Sequence, residues 1–366
     1  MRKPAMSAGS LAADISVPLA GALMCSAPAA TRPTVQFGVR VPRERAGAPV
    51  IRRERRAYYR RTAVIGVCCT AAAVAVQGHG SWWLSRIILL LELAAGLGCF
   101  RVARRKIAAV KSAGDWFAGL RQTVVTDTGW RTDPPRFPVR WLIPALAVIA
   151  GTAAVAALRY PGLPAHVVTG SGHRVPKSAV SVLVVAGQLY VTALCSGLML
   201  IVYRSRPDIE AADPAASALR YRRFLAAMTR ALLTLAALVD TSLLLVALRD
   251  WQVYRLSGIG RALPALPAAA GVLLLAAVGL RAGQGGSRLN GNVRGLAPAA
   301  GTDRDDDRFW KAGLLYVNRD DPALVVGSRF GAGWTLNLGS PAAWLIAAGI
   351  VAVWAGLAVI GSAAGM

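Results

Sequence analysis

Charge is scarce in this 366-residue chain: 16% of its residues are charged and 55% are apolar. A soluble domain of that size carries about 25% charged and about 45–50% apolar residues, so the polar exterior of a soluble fold is largely missing. Acid is the scarcer sign, with 18 Asp+Glu against 42 Lys+Arg and a net charge of +24. Few charges with a large cationic excess must collect in patches between apolar runs. That excludes global disorder, which needs low hydrophobicity, and argues against a soluble nucleic-acid binder. The five cysteines, Cys25, Cys68, Cys69, Cys99 and Cys195, all lie in apolar stretches and none is spaced as CxxC. None lies in a loop where an oxidising compartment could pair it, so the cysteines read as small core or lipid-facing residues. No GxGxxG, Walker, HExxH or GxSxG pattern occurs, which argues against a familiar nucleotide-dependent or hydrolytic enzyme. Nothing calls for a cofactor or a metal.

Long apolar runs are abundant. A bilayer core needs about 20 mostly apolar residues per helix, with about 17 as the floor. Seven runs qualify, near 62–78, 82–100, 141–158, 179–202, 225–248, 262–280 and 341–362. An eighth, 11–30, is weaker because Asp14 and Pro18 interrupt it. It is either a first span or a signal-like segment after Met1, Arg2 and Lys3. Lys and Arg in the connections set the orientation. The segments 31–61, 101–140, 203–224 and 281–340 hold ten, nine, five and eight, whereas 78–81, 159–178, 249–261 and the tail hold zero, three, three and zero. The basic connections are expected to be cytoplasmic and the C-terminus outside.

The organisation expected is an all-α integral membrane bundle of seven or eight transmembrane helices. An N-terminal segment, 1–31, and a basic loop, 32–61, precede a helix pair at 62–100. A cytoplasmic loop, 101–140, leads to a second pair at 141–202, and another, 203–224, to a third at 225–280. A small cytoplasmic β-hairpin module, 281–340, comes before the last helix, 341–362. The stretch RRERRAYYRR at 52–61 looks like a nucleic-acid patch in isolation. Directly before an apolar span it reads better as an anchor on anionic lipid headgroups.

Two stretches carry a family likeness. The external connection at 160–178 has Tyr160, Pro161, Leu163, Pro164, His166, Gly172 and Lys177 where the bacterial domain-of-unknown-function 1648 family has its loop motif. The best-described relatives in that family are SdpI-like immunity and signalling proteins. The loop is several residues shorter than the family's, and Val167 stands where an aromatic is usual. The stretch 305–341 resembles the C-terminal module numbered 5808 among domains of unknown function. It matches at Asp306, Trp310, Lys311, Gly313, Tyr316, Asn318, Asp321, Pro322, Phe330, Gly331, Gly333, Trp334, Asn337 and Pro341. With FGVRVP at 37–42 and the run at 130–144, the resemblance implies a multi-pass protein of a bacterial inner membrane and supplies no reaction.

Read from its residues alone, the C-terminal module has β-prone runs at 314–317 and 323–326 around a turn-forming 318–322, which predicts one small hairpin. The aromatics of the following glycine-rich strip, Phe330 and Trp334, are expected in the headgroup layer. Asp303, Asp305, Asp306 and Asp307 fit helix capping better than a cation site. Within the spans, Glu92, Asp240 and Gln188 are polar. A carboxyl at bilayer depth costs on the order of 3 kcal/mol, so these side chains face the bundle, either as a relay or ligand chamber or as hydrogen-bonded packing contacts. Two functions are open. One is a receptor or immunity-type protein that meets an extracytoplasmic peptide at 159–178 and engages a cytoplasmic regulator. The alternative is a small-molecule or ion transporter using the intramembrane carboxylates, although no internal repeat supports it. An enzyme is disfavoured by the lack of any matched nucleophile–base set.

Overall fold

The computed structural model describes residues 8–76, 82–117, 134–169, 174–205, 214–254, 258–289 and 306–363. Eight helices organise them: α1 Ala8–Ala30, α2 Pro49–Val76, α3 Trp82–Ala113, α4 Ile143–Arg159, α5 Lys177–Arg204, α6 Pro214–Asp250, α7 Leu266–Ala282 and α8 Pro341–Ala363. Proline starts several of them, as Pro49, Pro214 and Pro341 do, because the first turn needs no N–H partner there. Six helices are long and apolar enough to cross a membrane, and two shorter apolar stretches lie at Ile15–Ala30 and Pro341–Ala352.

Packing divides the helices into two groups. α2 and α3 pack against each other and against α1; α6 packs against α4, α5 and α7. α1 also contacts α7 and so joins the groups. α6 is the longest element at 37 residues, about 55 Å of rod at 1.5 Å per residue.

Among the described residues, four two-stranded antiparallel hairpins occupy the connections. β1 (Val35–Gln36) and β2 (Val39–Arg40) follow α1. β3 (His166–Val168) and β4 (Arg174–Pro176) join α4 to α5. β5 (Trp310–Lys311) with β6 (Leu315–Tyr316), and β7 (Val325–Gly327) with β8 (Trp334–Leu336), precede α8.

Two expectations from the sequence are corrected. The runs at 314–317 and 323–326 do not pair with each other across 318–322. β6 pairs with β5 and β7 with β8, and the two hairpins meet through a parallel bridge between Tyr316 and Asn337. The basic stretch 52–61 is no loop but the first half of α2, and α3 likewise runs on to Ala113. Arginine is a good helix former, so the helix continues where the apolar run stops. One face of that basic half is packed, with Ile51, Glu54 and Tyr58 buried.

Candidate functional site

Gln188 and Asp240, 52 residues apart in sequence, meet in the interior of the second helix group. Gln188 on α5 is fully buried and donates from Nε2 to Thr152 Oγ1 of α4 at 2.9 Å and to the Asp240 carbonyl of α6 at 2.9 Å. Thr192, one turn along α5 from Gln188, donates to Asp240 Oδ2 at 2.8 Å. Thr152 gives its own proton to Val148 O, which leaves its oxygen free to accept. Asp240 Oδ1 and Gln188 Oε1 are buried with no hydrogen-bond partner among the described residues. The cluster therefore has two acceptors without a donor, an arrangement suited to a proton-bearing or cationic guest.

Glu92 stands apart, in the first helix group. It is 1% exposed, and a Cβ on Gly21 of α1 would lie 2.7 Å from its Oε1. Gly66 of α2 closes the other side, 3.6 Å from the Gly21 Cα by the same construction. Neither carboxyl oxygen has a hydrogen-bond partner among the described residues, so the hydrogen-bonded packing contact, one of the two roles open to this residue, is not seen among them. Two glycines on neighbouring helices instead leave room for the carboxyl.

The 160–178 connection folds over one end of α4, α5 and α6. A 3-10 turn at Tyr160–Gly162 leads into β3 and β4. Val167 and Val175 are fully buried against Trp251 at the end of α6, with Leu163, Ala156 and Val180 around them. Lys177 holds the two ends of the loop together. Its Nζ lies 4.6 Å from the Tyr160 ring centroid and 3.3 Å from the Tyr160 carbonyl. Pro161, Pro164 and His166 are exposed, and Gly172 lies outside the described residues. Val167 is thus a core position in this chain.

At the opposite end the C-terminal hairpins form a clasp. Asn337, fully buried, is its knot. Its Oδ1 accepts from the N–H groups of Asn318 and Gly339, and its Nδ2 donates to the carbonyls of Asn318, Asp321 and Ala323, all between 2.8 and 3.1 Å. Tyr316 donates its hydroxyl proton to Asp321 at 2.9 Å and accepts from Asn318 Nδ2 at 3.2 Å. Pro322 is exposed on the turn between them. Trp310 packs on Tyr316 and lies under the Arg329 guanidinium at 4.7 Å, whereas Lys311 is exposed.

The clasp grips both helix groups. Toward the first, Phe330 stacks edge-on with Phe100 of α3 at 4.7 Å and with Tyr58 of α2 at 6.4 Å, and Phe37 of the β1–β2 turn joins them. Arg104 of α3 and Arg329 of the clasp both donate to the Gly38 carbonyl, at 2.6 and 3.0 Å. Toward the second, Trp334 packs on Phe224 of α6 and donates to the Tyr221 hydroxyl at 2.9 Å. Gln284, just past α7, exchanges both amide bonds with Gly333, at 2.6 and 2.7 Å. The aromatics expected among headgroups are thus half-buried against protein.

Asp306 caps the short turn before β5 by accepting from Arg308 N at 3.0 Å, as the capping reading expected. Asp307 does something else: it pairs with Lys111 of α3 at 2.6 Å and with Arg329, and accepts from Arg40 N. Burial alone would push this carboxyl up, but the Arg329 charge and the hydrogen bonds from Lys111 and Arg329 outweigh it and hold it below the usual carboxylate range. The folded state then binds fewer protons at this site than the unfolded chain. Its contribution is complete above the unfolded value, about 3.9, and disappears as pH falls through the lower folded value. Asp307→Asn should therefore lower the melting temperature of the purified protein at pH 7, and the difference should shrink as the pH falls below about 3.9. A gap that did not shrink on acidification would remove Asp307 from the ion-pair account.

The sequence reading missed Arg104, Arg329, Lys111, Thr152 and Thr192. The arginines and the lysine blend into general cationic character, and threonine in an apolar run gives no warning. Residues 319–344 match a family of unknown function (DUF5808), the part of the clasp that runs from the 318–322 turn through Asn337 into α8. No curated protein and no solved structure matches the chain.

Proposed function

We propose that the chain is a multi-span bacterial inner-membrane receptor of the SdpI-like, immunity or signalling class, with seven or eight transmembrane helices and its C-terminus outside. An extracytoplasmic peptide is met at the β3–β4 hairpin, and a cytoplasmic regulator is engaged at the clasp. Membrane residence is supported by the six long apolar helices and by apolar side chains left exposed, such as Leu158 at 81% and Leu345 at 74%. Surfaces of that kind are normally covered.

One observation carries the signalling reading. α6 shares the hairpin's buried cluster through Ala247 and, just past its end, Trp251; it meets the buried polar cluster through Asp240 and the clasp through Tyr221 and Phe224. A single rod fixed at both ends converts a shift at one into a shift at the other. The hairpin is short and its valines are buried, so the peptide would be recognised jointly by the hairpin and the adjoining ends of α4 and α5. Transplanting 159–178 alone onto another scaffold should transfer no binding.

A strain lacking the gene, exposed to fractionated secreted peptides and profiled for transcripts, tests the function. The wild-type gene should restore a peptide-dependent response, and identical profiles with and without the gene would overturn the reading. Orientation is tested separately. In a background free of native cysteines, Ser287→Cys should resist an impermeant thiol reagent on intact cells, and ready labelling would overturn the assigned topology.

Transport is a second reading, favoured by both Glu92 oxygens and Asp240 Oδ1, which have no hydrogen-bond partner among the described residues. If Glu92 relays protons, both Glu92→Gln and Glu92→Leu should abolish activity with expression intact. A fully active Gln variant would sink the relay.

A further inference from the structure

The basic first half of α2 is more than a charged stripe, because it walls a cleft. Arg52, Arg53, Arg56, Arg60 and Arg61, with Lys106 of α3, line a cavity of about 590 Å³, within the range of roughly 300–1,000 Å³ typical of small-ligand sites. None of these five arginines pairs with a carboxylate among the described residues. Arg55, which turns away to Tyr59 at 3.2 Å, does not line it. Glu54 does, and it is 3% exposed. One of its oxygens holds Lys106 at 3.1 Å, while the other, Oε2, is buried without a hydrogen-bond donor among the described residues.

Beyond the cavity the same face of α2 changes character. Residues 53, 57, 60, 64 and 67 recur at helical spacing on one face. The face begins with arginine and ends with Val64 and Val67, which are 58% and 70% exposed. Cationic at one end and apolar at the other, it has the shape of a phospholipid lying along the helix. Six cations against one carboxylate exceed what a single phosphodiester neutralises. The undonated oxygen of Glu54 asks for a hydroxyl.

We infer that the α2–α3 cleft is a binding site for an anionic phospholipid whose headgroup carries two phosphates joined by a hydroxyl-bearing bridge. The arginines take the phosphates, Glu54 Oε2 accepts the hydroxyl proton, and the acyl chains run along Val64 and Val67. The inference rests on the membrane reading above and goes beyond a diffuse attraction to anionic headgroups, because it assigns one saturable site.

Native mass spectrometry of the full chain in detergent tests it, with cardiolipin, phosphatidylglycerol and inorganic pyrophosphate as probes. Wild type should retain one cardiolipin in preference to phosphatidylglycerol and should not exchange it for pyrophosphate. At about 1 kcal/mol per basic residue, the Arg53→Gln/Arg60→Gln pair should weaken cardiolipin binding about thirtyfold. The charge-matched control Arg101→Gln/Arg105→Gln, exposed on α3 outside the cleft, should change it no more than about twofold. If the first pair fails to elute as folded protein, Lys106→Gln is read instead, with a loss of about fivefold expected. Equal losses in both pairs, or no preference over phosphatidylglycerol, would overturn the site. Full displacement by pyrophosphate would reassign it to a soluble anion. Carbonate washing of the same membranes separates the two claims. Protein that stays with the membrane yet shows no preference overturns the cleft alone, and protein released by carbonate overturns the membrane reading and the cleft with it.

Discussion

Gly38→Ala should destabilise the protein by about 3 kcal/mol or more and loosen the clasp from α2 and α3. Two left-handed turns meet at this point. Phe37 and Gly38 connect β1 to β2 with φ of 48° and 72°, and Ala312 and Gly313 sit at 53° and 76° between β5 and β6. A Cβ on Gly38 would lie 2.4 Å from the Gly313 carbonyl oxygen and 2.8 Å from its Cα. Backbone cannot step aside as a flexible side chain would, so the turns must separate. Separation withdraws the Gly38 carbonyl from Arg104 and Arg329 and pulls Phe37 out of the aromatic cluster. Gly47→Ala, at a glycine with open space around it, is the control and should move stability by less than about 0.5 kcal/mol. Thermal unfolding in detergent and trypsin cleavage after Arg319 or Arg329 read the two effects. A Gly38→Ala protein that melts and resists trypsin like the wild type would show that the turns do not bear on each other.

The second large effect is expected at Asn337. Asn337→Leu keeps the approximate volume and removes five hydrogen bonds, leaving three carbonyls and two N–H groups without this partner. Buried backbone groups left unpaired cost about 1–3 kcal/mol each. Even with partial relaxation the variant should lose about 4 kcal/mol, enough to detach the module. Asn337→Asp keeps the oxygen side and loses the donor side, so it should fall between wild type and Asn337→Leu. If the Asp variant were as stable as wild type, the three carbonyl contacts would be idle.

These contacts mark where sequence reading stopped. The apolar runs at 141–158, 179–202, 262–280 and 341–362 foresee α4, α5, α7 and α8 closely, because hydropathy and helix coincide there. They miss the start of α2 by the length of its arginine-rich half and the end of α3 in the same way. Hydropathy reports the surrounding medium, while arginine and alanine extend a helix regardless of it. The module was legible through its motif, but its strand pairing was not. Turn-forming residues at 318–322 are real local signals, yet the pairing that wins joins 325–327 to 334–336. Gln188 and Asp240 were singled out by type, and their meeting depends on how α5 and α6 cross. Gly38 against Gly313 is a contact between chain segments that no periodicity relates.

In the proposed reading α6 couples the hairpin at one end to the clasp at the other, and hydrogen exchange measures that coupling directly. Val167→Asp should force open the β3–β4 hairpin from its buried seat against Trp251. Peptides covering 328–338 should then exchange about tenfold faster than in the wild type, while those covering 51–58 on α2 stay protected. Rapid exchange at 166–176 with 328–338 unchanged would contradict the coupling and leave the hairpin and the clasp as independent structures.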